Sequence, residues 1–180
     1  MSQIGYAAVE EFNRHSGSRW EKYIAWSKLD HLVRAVTIDS LLCPTVKPEL
    51  SETDWQHNIQ RDFMLNYFLE LDYLLKRVEG VKNVQIIGFV HQPVASYPHD
   101  FIDLRFEFAG YDLIETPTSV SALTNCGGFP ESFSNSELNE SGLISNFNRA
   151  QEIQRNLKAN NPTEPYADCD IWALWLYQQK

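Results

Sequence analysis

The sequence predicts an α+β fold: an antiparallel or mixed sheet of about 4–6 strands packed against helices, with one long central helix over 54–78. Three observations carry that expectation. Trp55, Ile59, Phe63, Tyr67, Leu71, Leu74 and Val78 recur every three or four residues, as one face of a helix does. Strand-like patterns then cluster between 84 and 115. Finally, Cys169-Asp-Ile-Trp-Ala-Leu-Trp-Leu-Tyr177 reads as a strand covered on both faces, near the centre of the sheet.

Residues 4–14 are expected to form a short helix with Ile4, Ala8 and Phe12 on one side, ended by His15, Ser16 and Gly17. Ser18, with Glu21 three positions on, suits the cap of a second helix carrying Trp20, Tyr23 and Ile24. Val36-Thr37-Ile38 points to a strand near 34–40, and Pro44 and Pro48 mark a loop. In the central helix Thr53 is the expected cap, Lys76 and Arg77 suit the negative C-terminal end, and Gly80 is the stop. Met64, Phe68 and Leu75 widen its apolar face, so at least two partners should cover it.

Val84–His91 reads as a buried strand, followed by an irregular loop containing Pro93 and Pro98. In 101–108, Ile102, Leu104, Phe106 and Phe108 alternate with Asp103, Arg105 and Glu107, the pattern of a strand with one dry and one wet face. Gly110 predicts a turn or bulge leading into Tyr111–Glu115. Residues 120–124 suggest another strand, and Asn135-Ser136 a turn or single helical turn. Leu143, Phe147, Ala150, Ile153, Gln154 and Leu157 describe an amphipathic helix that stops at Asn160-Asn161-Pro162.

One domain is the simplest reading of 180 residues, and 13% aromatic content argues against disorder. Three cysteines, an odd number, argue for a reducing compartment over a disulfide framework, so the cytoplasm is the expected location. No secretion signal or membrane span is expected. The net charge is −9, of which −7 falls between Asp100 and Glu140, where eight acids meet a single base, Arg105. Such a surface repels phosphate, which excludes nucleic acid, and suits a basic protein partner or simple solvation.

Chemistry has few carriers. Cys126, followed by Gly127-Gly128, could present a thiol beside free backbone N–H groups, with His91 or His99 as base and Asp103 as the group orienting it. The competing and favoured reading is a glycine turn in which a small buried cysteine packs as a hydrophobe. His91, His99, Asp100 and Asp103, or Asp168, Cys169 and Asp170, match no metal-ligand spacing, so no metal is expected. No phosphate-cradling or nucleophile-elbow motif is present, and no cofactor is expected.

The preferred functional expectation is a binding module, immunity- or antitoxin-like, that docks a basic protein through Asp103, Glu107, Asp112, Glu115 and Glu131. The alternative is a small hydrolase or transferase built on Cys126. An enzyme needs several convergent groups and only one is visible, so binding is favoured. The broad apolar helical faces also leave room for a homodimer.

Overall fold

The computed structural model describes residues 3–46, 51–57, 65–96, 102–115 and 117–178. Its centre is a five-stranded antiparallel sheet in the order β1-β4-β7-β5-β6. These strands are β1 (Ile4–Glu10), β4 (Val84–His91), β5 (Phe106–Glu115), β6 (Val120–Ser121) and β7 (Cys169–Tyr177). Strands β2 (Phe12–Asn13) and β3 (Arg34–Ala35) form a second, small antiparallel pair. The helices are α1 (Ser18–Ser27), α2 (Glu52–His57), α3 (Leu71–Arg77) and α4 (Phe147–Asn160). Among the described residues no helix is long and apolar enough to cross a membrane.

β7 lies in the middle of the sheet, as its uninterrupted apolar run predicts. Trp172 stands opposite His91 on β4 and Asp112 on β5, while Trp175 stands opposite Gly88 and Phe108 on the other face. Both indoles are buried, at 1% and 0% exposure, so each face has its own covering layer. Helix α4 covers the Trp175 face: Phe147, Ala150, Ile153 and Leu157 turn inward, and Phe147 meets Tyr111 at 5.4 Å. Segment 35–43 lies over the Trp172 face, where Gln85 and Asp112 bond to it.

The edges are closed by short pairings. Tyr6 and Phe68 exchange backbone hydrogen bonds of 2.9 and 2.8 Å, and Val46 N–H donates to the Ala8 carbonyl (2.9 Å). Tyr111 and Ile144 do the same for β5 beyond β6, at 2.8 and 3.0 Å. Unpaired strand edges invite aggregation, and these contacts leave little of either edge open.

Four expectations need correction. The segment 54–78 is not one long helix. Along a continuous helix Asp54 and Arg77 would stand about 35 Å apart at roughly 1.5 Å per residue. Instead Arg77 Nε lies 2.9 Å from Asp54 Oδ1, because the chain folds back between α2 and α3. Residues 65–70 are not helical, Phe68 forming an isolated bridge with Tyr6, and His57 stacks on Tyr73 with 4.0 Å between ring centroids. The apolar residues of the run therefore serve different surfaces: Tyr67 meets Phe89, Phe68 flanks β1, and Leu71 and Leu74 enter the core. Ile59, Phe63 and Met64 lie outside the described residues.

Residues 4–10 are a strand, not a helix. A spacing of four is also an even spacing, so Ile4 and Ala8 share a strand face as readily as a helical one. The strand expected over 101–108 begins only at Phe106; Asp103 and Arg105 close a turn that leaves Leu104 87% exposed. The bulge expected at Gly110 is present, and Tyr111–Glu115 continues β5. Of the strand expected at 34–40 only Arg34–Ala35 pairs in a ladder.

Candidate functional site

The loop that contains Cys126 is anchored on two buried carboxylates. Thr37 and Asp39 lie in a run that resembles a strand but turns sharply: Asp39 Oδ1 accepts from Leu41 N (2.8 Å) and Leu42 N (3.2 Å). Its Oδ2 accepts from Ser121 N at 2.9 Å and Asn125 Nδ2 at 3.0 Å. On β5, Asp112 accepts from Thr37 Oγ1 and Ser121 Oγ, both at 2.6 Å, and from Leu113 N at 2.8 Å. Both carboxylates are fully buried. Burial pushes Asp112 up to about 6 against the pull of these donors, and the neighbouring Asp39 charge adds to the rise. Every carboxylate oxygen has a donor, so the pair knots segment 37–42 to β5 and the 121–125 turn.

Within that loop Gly127 and Gly128 adopt φ of 81° and 98°, with open space where a side chain would stand. Cys126 is partly buried, donates to the Ala122 carbonyl, and is pushed up to about 11, chiefly by burial. A thiol of that acidity holds almost no thiolate at neutral pH. His91 lies on β4, and its Nε2 is 2.8 Å from Asp170 Oδ2 while its ring rests on Trp172, 4.3 Å between centroids. Strands β4 and β6 are three spacings apart, about 14 Å. Asp103 is bound to Arg105. His91 and Asp103 are thus each engaged by another side chain, Asp170 and Arg105; His99 lies outside the described residues.

The residues expected to form an acidic docking face are also dispersed. Asp112 (0%) and Glu115 (6%) are buried and cannot belong to it: β5 places Asp112 under segment 37–42, and Glu115 sits between β6 and β7. Asp103, in its turn, is held below the usual carboxylate range by the Arg105 hydrogen bonds. Glu137 is likewise lowered, first by Arg149, which it meets at 2.6 Å. Glu140 lies 3.9 Å from Arg34. That leaves Glu107 and Glu131 as exposed acids of the expected set, the Glu131 carboxylate accepting from Asn161 Nδ2 at 3.1 Å and its carbonyl from Asn160 Nδ2 at 3.5 Å. Asp100 lies outside the described residues.

Among the described residues no group of three or more His, Cys, Asp or Glu side chains could hold a metal ion. No protein-family model, curated protein or solved structure matches the chain. Two polar residues escaped the sequence reading, Asp39 and Gln85. Each interrupts an apolar run, at Val36-Thr-Ile-Asp39 and Val84-Gln-Ile-Ile87, and that interruption is the signal that could have found them.

Proposed function

We propose that the protein is a binding module that docks a basic protein, in the manner of an immunity or antitoxin protein meeting a basic toxin. The observation that carries this reading is charge. The chain has a net −9, and Glu107 and Glu131 stand exposed with no basic side chain engaged among the described residues. Opposed net charges steer association and select partners by sign. The docking residues are Glu107 and Glu131, without the buried Asp112 and Glu115.

Capture from the native host's lysate at two salt concentrations tests the reading. A stoichiometric basic protein, retained at about 0.1 M salt and depleted at about 0.5 M, is the expected result. The variant E107K/E131K should associate with that protein at least about tenfold more slowly. Absence of a basic protein at both salts would overturn the proposal, as would an association rate that the double reversal leaves unchanged.

A further inference from the structure

Two adjoining recesses of about 220 and 170 Å³ lie at the C-terminal end of β7 and share Arg34, Leu176 and Gln178. Glu11 lines the first, and Glu107 and Glu140 line the second, so three carboxylates face one guanidinium and the formal charge of the groove is −2. Arg34 is turned towards Glu140 (3.9 Å) and Ser141 Oγ (3.4 Å). Glu11 and Glu107 are exposed.

A second observation is independent of charge. Gln85 lines the first recess at only 8% exposure, and its amide is fixed from within. Nε2 donates to the Ala35 carbonyl at 3.0 Å and approaches Cys43 Sγ at 3.6 Å. That leaves Oε1, which accepts no hydrogen bond from any described residue. Oε1 is not sealed off from solvent, so a donor that enters the recess can take the place of water there. At roughly 30 Å³ per water-sized atom, the first recess holds about seven, the number of heavy atoms in an arginine side chain. Phe108 and Leu176 offer the second recess an apolar wall for a basic side chain's stem.

We propose that this groove receives a basic segment of the protein partner. One Lys or Arg side chain enters the first recess and donates to Gln85 Oε1 and Glu11, while a second meets Glu107 and Glu140. The inference rests on the binding reading above and names its seat.

An acetylated, amidated hexa-arginine peptide is the probe, titrated at about 50 mM salt, where surface charge is weakly screened. The variant E11Q/E107Q/E140Q should weaken binding at least tenfold. E21Q/D30N/E164Q removes the same charge from exposed positions elsewhere and should change it less than twofold. The Gln85 side-chain amide signal should shift on titration. Equal weakening by both triple variants, or an unmoved Gln85 signal, would overturn the groove. A basic host protein captured equally by wild type and by the groove variant would remove the groove, Glu107 included, and leave the binding reading standing on net charge and Glu131. A peptide that binds in the groove, with no basic protein captured, would do the reverse.

Discussion

Asp112 is charged against its surroundings. An acid whose folded pKa lies above its unfolded value binds its proton more tightly when folded. Its contribution to stability is therefore complete below about 4 and is lost as pH rises through about 6. For this fully buried carboxyl, the distance between about 6 and the ordinary aspartate value corresponds to about 2–3 kcal/mol. Asp103 and Glu137 act with the opposite sign: their lowered values stabilise the fold above the unfolded carboxylate range, and that support is lost as pH falls. The difference between wild type and D112N isolates the first effect, since Thr37 and Ser121 hydroxyls can reorient to an amide. Urea titrations at pH 4 and pH 7 should show D112N gaining about 2–3 kcal/mol relative to wild type between them. A pH-independent difference would mean that Asp112 titrates normally. Cys126 gives a second residue-level expectation. Its thiol, pushed up to about 11, should react with iodoacetamide near neutral pH far more slowly than a free cysteine until the protein is denatured. Rapid native alkylation would return it to the list of nucleophiles.

Elements explain where local pattern was a sound guide and where it was not. β4 and β7 were legible because both faces of each strand are covered, so their apolar runs are continuous and their ends are marked by polar residues. Helix α4 was legible because one face is dry and the other wet, with Asn146 accepting from Arg149 N at 3.1 Å to cap it. The segment 54–78 misled because helical spacing does not reveal a fold-back. What holds the fold-back is Asp54, 1% exposed, bonded by Arg77, Tyr73 and Ser51. R77M should therefore cost about 2–4 kcal/mol by urea denaturation, while D54N/R77M should recover part of it, since the uncompensated buried charge is then gone. No recovery would place the cost in lost packing instead. The bulge in β5 has its own test. Gly110 has φ of 140°, and an added Cβ would stand 2.7 Å from Leu143 Cβ and 3.1 Å from the Ile144 carbonyl oxygen. G110A combines strain with overlap and should lower stability by about 2–4 kcal/mol. A neutral G110A would mean that the bulge relaxes.

For the whole molecule the stability question centres on β7, whose two tryptophans pack in opposite layers. W175A and W172A should each cost about 3–5 kcal/mol, because each opens a cavity in a separate layer. A much smaller loss in one would identify a layer that can collapse. The sequence by itself determined the α+β class, the central strand, β4, α4, the site of the bulge and the acidic balance. Each of these follows from local periodicity or composition, which a chain carries wherever it folds. Only the tertiary structure decided that Asp112 and Glu115 are inside, that Glu107 lies beside Glu140 in a groove, that His91 pairs with Asp170 and that 54–78 doubles back. A carboxylate reads the same in sequence whether water or a buried serine meets it. Its exposure is set by residues as distant as Thr37 from Asp112, and that is a property of the fold alone.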